Sequence, residues 1–230
     1  MVGWHVVGGS RRLLIYGGVF LVVYLALSIT VGGGVFESVD VDVFFAVNSW
    51  APATVMDSLM VLLSLYGREV VWGAAIVVLF VFGGEREKRA ALTMGLLFML
   101  LIGAGYLAKE LVFRTRPYNL LEGVRLLVPV EADSSFPSGH TLIVAGGTVV
   151  ALLKLRRWQA TLLTIEAALV AISRIYVGVH YPTDIIGGAL LGVGFALVIC
   201  SYPRPVDDIY ERIPESIKGR GSASLPAEVD

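Results

Sequence analysis

Charge-free apolar runs are the strongest constraint on this chain. Leu13 to Phe36, Val70 to Gly84, Ala90 to Ala108, Thr141 to Leu153 and Ile185 to Tyr202 contain no Asp, Glu, Lys or Arg, and Trp158 to Ser173 contains only Glu166. A helix crosses a bilayer with ~20 largely apolar residues. A chain with 56% hydrophobic and 16% charged residues and a mean hydropathy of +0.77 is too apolar for a soluble domain of 230 residues. The reading is an all-α, polytopic membrane bundle of six transmembrane helices with a short interfacial helix.

Two windows need extension. Val70 to Gly84 can be lengthened by Ser58 to Tyr66, which leaves Gly67, Arg68 and Glu69 near an interface or at a helix break. Thr141 to Leu153 begins at Ser138, so the helix starts below the headgroups. Val39 to Trp50 mixes apolar residues with Asp40 and Asp42 and is expected to form an interfacial helix ending at Pro52.

Loop charges set the orientation, because Lys and Arg near spans are retained in the cytoplasm. Arg11 and Arg12, then Arg86, Lys88 and Arg89, then Lys154, Arg156 and Arg157 fall on one side; Glu37, Asp40, Asp42, Glu122, Glu131 and Asp133 fall on the other. The expectation is a multi-pass cell-membrane protein with both termini cytoplasmic and the reacting residues outside. Residues 1–12 form the inner N-terminus, 13–202 the bundle, and 203–230 a cytoplasmic, partly disordered tail in which Val206 to Ile217 could form a surface helix. The single Cys200 cannot close an intramolecular disulfide.

Three pieces carry chemistry: Lys109-x6-Arg116-Pro117, Pro137-Ser138-Gly139-His140, and Ser173-Arg174-x5-His180-x3-Asp184. The whole sequence holds three histidines, His5, His140 and His180, and two of them lie inside these pieces. Seven residues make two helical turns, so Lys109 and Arg116 can share a face. Ser138 is placed to cap the helix that follows, where free amides and the helix dipole favour an anion. Asp184, four residues after His180, can orient one imidazole nitrogen and leave the other to attack phosphorus. Ser173 is a candidate for one more hydrogen bond, Arg114 for support of the phosphate or contact with headgroups, and Glu166 for pairing with a cation or remaining protonated.

In order and internal spacing these blocks resemble the phosphatidic acid phosphatase type 2 superfamily, which includes polyprenyl diphosphate phosphatases, glucose-6-phosphatases and vanadium haloperoxidases. The resemblance implies that His180 is the nucleophile, Asp184 its orienter and His140 the acid on the departing oxygen. It implies that Lys109, Arg116 and Arg174, with Ser138 and the amide of Gly139, hold the phosphate. No metal and no cofactor are expected, because fixed cations can stabilise charge on the equatorial oxygens. The expected partner is a membrane lipid substrate, with no nucleic acid and no obligate protein partner. The leading substrate is a polyprenyl (undecaprenyl- or dolichyl-type) diphosphate. Phosphatidic acid or phosphatidylglycerol phosphate is the alternative, followed by a haloperoxidase-like enzyme or an inactive lipid carrier.

Overall fold

The structure is a computed structural model that describes residues 10–50 and 54–218. His5, Pro52 at the expected end of the short helix, and tail residues 219–230 lie outside the described residues. The described chain is built from helices: α1 Arg11–Gly32, α2 Glu37–Asn48, α3 Thr54–Leu62, a π-wound stretch Leu63–Val71 that continues into α4 Trp72–Phe82, α5 Glu85–Leu111, α6 Pro117–Leu120, α7 Gly139–Lys154, α8 Arg157–Tyr176, α9 Pro182–Ser201, α10 Arg204–Arg212 and α11 Glu215–Lys218.

Among the described residues, five helices are long and apolar enough to cross a membrane: α1, the continuous Thr54–Phe82, α5, α8 and α9. The remaining apolar segment, α7, has 16 residues. At ~1.5 Å per residue it reaches roughly 24 Å, short of a ~30 Å hydrocarbon core. Five of the six expected segments therefore reach spanning length. No break occurs at Gly67, Arg68 and Glu69, because the chain widens to π winding there and runs on into the apolar α4. Val22, Phe82, Met99 and Leu111 remain 65%, 81%, 74% and 75% exposed on the outer faces, surface that a bilayer rather than water would cover.

The short α7 is the centre, packed against α5, α8 and α9, while α1 lies on the far side of α9. Small residues bring α7 and α9 together. A Cβ at Gly188 would stand 2.5 Å from the Ser138 carbonyl oxygen, and one at Gly192 would stand 2.2 Å from that of Leu142. Trp72, Met94, Leu97, Leu101, Leu142, Val144 and Val150 fill the interior between the helices.

The short α2 does more than lie at an interface. Asp40, Phe44 and Asn48 recur every four residues on one face and are all buried. Asn48 Nδ2 donates to the Tyr176 carbonyl at 2.8 Å, and its Oδ1 accepts from the Arg125 amide at 2.9 Å. The helix thus clamps the end of α8 and the loop before α7, the two segments that shape the site. At the opposite end α10 folds onto α5, where Arg89 pairs with Asp207 at 2.7 Å and lies over the Tyr210 ring.

Candidate active site

The turn between α8 and α9 places His180 at the centre of the site. Pro182 starts α9 at its first turn, where its missing N–H costs nothing, and Asp184 falls at the third helical position. From there Asp184 Oδ2 accepts the Tyr181 amide at 2.8 Å and faces His180 Nδ1 at 3.4 Å. The other imidazole nitrogen, Nε2, lies 3.5 Å from Arg116 Nη1. Burial, then the charges of Arg174, Arg116 and Lys109, hold the imidazole well below its ordinary value, against an opposing pull from Glu131. The ring is kept neutral, with Nε2 on the side of the cations.

Arg114 accounts for the orientation of Asp184. Its Nη1 donates to Asp184 Oδ1 at 2.7 Å and its Nη2 to Asp40 Oδ2 at 2.6 Å, with the guanidinium 4.1 Å above the Tyr181 ring. Asp40 also accepts the Thr183 amide at 2.9 Å. Burial opposes the Arg114 charge, but Asp184 and Asp40 outweigh it and raise its proton affinity. Headgroup contact is therefore not what Arg114 does: it ties α2, α9 and the loop after α5 together behind His180.

Lys109 and Arg116 do not share a helix. α5 ends at Leu111, and Pro117 keeps Arg116 extended at φ −72°, ψ 152°. They converge through Asp133, whose two oxygens lie 2.6 Å from Lys109 Nζ and 2.6 Å from Arg116 Nη2. Burial would raise the Asp133 carboxyl, but hydrogen bonds from Lys109 and Arg116 win and bring it down to about 2. Glu131 joins the other pair of cations, with Oε2 2.6 Å from Arg116 Nη2 and Oε1 bonded to Arg174. Arg174 is braced from behind by Ser64 Oγ at 2.7 Å.

Ser138 stands at the cap position of α7 but makes no side-chain cap. Its Oγ instead accepts from Thr141 at 3.3 Å, and its amide donates to the Asp184 carbonyl at 3.0 Å. That leaves the first-turn amides of α7 without a side-chain cap. Gly139 and His140 occupy this turn and line a cavity of about 360 Å³, together with Arg68, Lys109, Glu131, Asp133 and His180. Arg116 and Arg174 meet it through Glu131 and Asp133. All eight sequence-predicted residues, His180, His140, Asp184, Lys109, Arg116, Ser138, Gly139 and Arg174, are thus brought to one place.

One expectation is corrected, and of the two alternatives open for Glu166 one is set aside. Ser173 turns its hydroxyl to the Val170 carbonyl of its own helix at 2.7 Å and does not reach the site. Glu166 takes no cation: Trp72 Nε1 donates to its Oε2 at 2.6 Å, and its Oε1 is buried without a hydrogen-bond partner among the described residues. Conversely, Asp40, Ser64, Arg68, Glu69, Glu131 and Asp133 reach the site without any signal in the three blocks. Only the acidity of the outer loops hinted at Asp40, Glu131 and Asp133.

The chain is 38% identical over 200 residues to an undecaprenyl-diphosphatase from Sulfolobus acidocaldarius, covering 85% of this chain and 96% of the relative. It is 30% identical to undecaprenyl-diphosphatase BcrC from Bacillus subtilis, covering 71% and 85%. The crystal structure of Aquifex aeolicus LpxE superposes with a TM-score of 0.59 at 30% identity, covering 70% of this chain and 94% of that one. A PAP2-type phosphatidylglycerolphosphate phosphatase from Bacillus subtilis shares the fold with a TM-score of 0.65 at 24% identity, covering 86% and 97%. With residues 89–206 matching the PAP2 superfamily profile, a stretch that includes all three blocks and the buried His180–Asp184 pair, the chain belongs to the PAP2 superfamily.

Proposed function

We propose that this chain is an integral-membrane phosphatase that removes the terminal phosphate of a polyprenyl diphosphate through a phosphohistidine at His180. The carrying observation is His180 itself, with Nδ1 facing Asp184 and Nε2 facing the cations that Glu131 and Asp133 now neutralise. Nε2 attacks the terminal phosphorus as its bond to the bridging oxygen breaks. His140 delivers a proton to that oxygen and prenyl monophosphate departs. Water then attacks the phosphohistidine, His140 takes its proton, and the P–N bond breaks to release phosphate. Lys109, Arg116 and Arg174, with Ser138 and the Gly139 amide, hold the nonreacting oxygens. The cations supply the stabilisation that a metal pair gives other phosphatases.

The named activity of the 38% identical relative supports the diphosphate substrate. Phosphatidylglycerol phosphate is the second reading, favoured by a 35% identical phosphatidylglycerophosphatase B from Bacillus subtilis that aligns with 43% of this chain. Purified protein should release phosphate from a long-chain prenyl diphosphate faster than from phosphatidylglycerol phosphate or phosphatidic acid in one detergent. Orthovanadate should inhibit and a chelator should not. Preference for either glycerolipid would reject the substrate, and activity that needed added magnesium would reject the metal-free step.

We place the site on the extracytoplasmic face, with both termini inside. The grouping of the basic loops at the other end supports this, with Arg86 Nε 2.6 Å from the Lys154 carbonyl oxygen. Single cysteines at Ala132 and at Arg157, both exposed, in a Cys200→Ser background are expected to label from outside and inside respectively. The reverse pattern would turn the site to the cytoplasm.

A further inference from the structure

We infer that Arg68 and His140 form a second phosphate subsite, which receives the leaving prenyl monophosphate and selects diphosphates over monoesters; this rests on the diphosphatase reading above. In that reaction two phosphates must be neutralised at once. Lys109, Arg116 and Arg174 converge on the reacting one. The other lies across the bridging oxygen, on the side from which His140 protonates.

That side holds one more cation. Arg68 lines the same cavity as His140 and His180, and a Cβ at Gly139 would stand 3.8 Å from its Nη1. An arginine midway along a 29-residue apolar helix is costly unless it faces protein or water. The local winding turns it toward the site. In an i→i+5 helix, residues four and five apart stack on one face. Ser64, the brace of Arg174, therefore shares a face with Arg68 and Glu69. Gly67 permits this approach: a Cβ there would come within 2.4 Å of Val170 Cγ2 on α8.

Carboxylates mark the two anion positions. Glu131 and Asp133 neutralise the three cations of the first. At the second, Glu69 pairs with Arg68 and approaches His140 Nε2 to 3.9 Å. Side-chain exposures of 31% for Arg68 and 46% for Glu69 leave this pair open to exchange with an anion of the substrate. A monoester has no second phosphate to offer, so Arg68 gains nothing from it. For a diphosphate, a guanidinium supplies a forked pair of charge-assisted hydrogen bonds to the departing phosphate.

Arg68→Gln and Arg68→Lys should be assayed on a long-chain prenyl diphosphate and on the monophosphate of the same chain, at matched surface concentration. In Arg68→Gln the diphosphate-to-monophosphate ratio of kcat/KM is expected to fall about tenfold or more, with partial recovery in Arg68→Lys. Inhibition by inorganic pyrophosphate should weaken relative to inhibition by orthophosphate by a similar factor. Equal losses on both substrates, or an unchanged ratio, would overturn the subsite even with both variants folded. A wild-type enzyme that cleaves monoesters and ignores diphosphates would sink the underlying substrate reading instead.

Discussion

Two clusters of arginines and carboxylates flank His180, and they are built in opposite ways. Behind it, Arg114, 15% exposed, pairs with Asp40 and Asp184, whose side chains are 1% and 0% exposed. In front, the cations are enclosed and the anions are not: Arg116 and Arg174 are each 1% exposed, while Glu131 and Asp133 are 33% and 55% exposed. A cluster whose carboxylates are both buried cannot exchange its cation without stranding a charge. One whose cations are fixed and whose carboxylates reach water can trade those carboxylates for phosphate. Under the mechanism proposed above, the rear cluster would orient His180 and the front cluster would receive the anion.

Removing the group between the clusters should have the largest effect. His180→Ala is expected to abolish turnover below detection while membrane insertion and detergent stability persist, and wild-type rates from clean protein would end the covalent mechanism. Next comes the front cluster, where Arg174→Gln should lower kcat by about 10²–10³, as loss of a preorganised donor does elsewhere. A loss confined to KM would mean that Arg174 binds the ground state alone.

The rear cluster should answer in stability as well as rate. Arg114→Ala leaves Asp40 and Asp184 buried without their cation, a change that typically costs ~3–5 kcal/mol. Unfolding in detergent measures this cost, and kcat should fall as Asp184 loses its hold on His180. If stability is untouched, the contrast between the clusters fails.

Neutralising the front carboxylates should do least, and in the other direction. Glu131→Gln and Asp133→Asn remove competitors for the phosphate site, so KM should drop by roughly 1.5- to 5-fold each, the range of a partly exposed ion pair. Losses as large as those of Arg174→Gln would make these carboxylates part of the chemistry. The pH response separates the same groups without mutation. A lowered His180 stays neutral as pH falls through the ordinary imidazole value of about 6.5, so its active form persists on the acid side. Histidine-selective NMR should show its ring unprotonated there; a midpoint at or above that value would contradict the arrangement of cations around it.

Much of this protein was legible in the chain. Apolar runs report helices in lipid because hydropathy is a local property, and five reach spanning length as one continuous helix each. The eight motif residues lie at helix ends and turns, most of them marked by Pro, Gly or Ser, with Lys109 in the last turn of α5. Where the reading erred, a long-range contact had overridden a local rule. Lys109 and Arg116 were expected to share two turns of helix, yet Pro117 and Asp133 bring them together from different segments. For Glu166 the sequence left a cation partner or a protonated state open, and the partner that the fold supplies is an indole.

The sequence by itself therefore determined the solvent of this protein, its helices and the motif residues that meet around His180, since these follow from composition, periodicity and short spacings. Only the tertiary structure decided who faces whom. Arg114 meets Asp40 from 74 residues away, and Arg174 meets Ser64 from 110. Neither pair leaves a period or a spacing to read. The face that Arg68 presents was equally hidden, because π winding changes the angle between successive side chains and so moves a residue off the face that a regular helix would assign it.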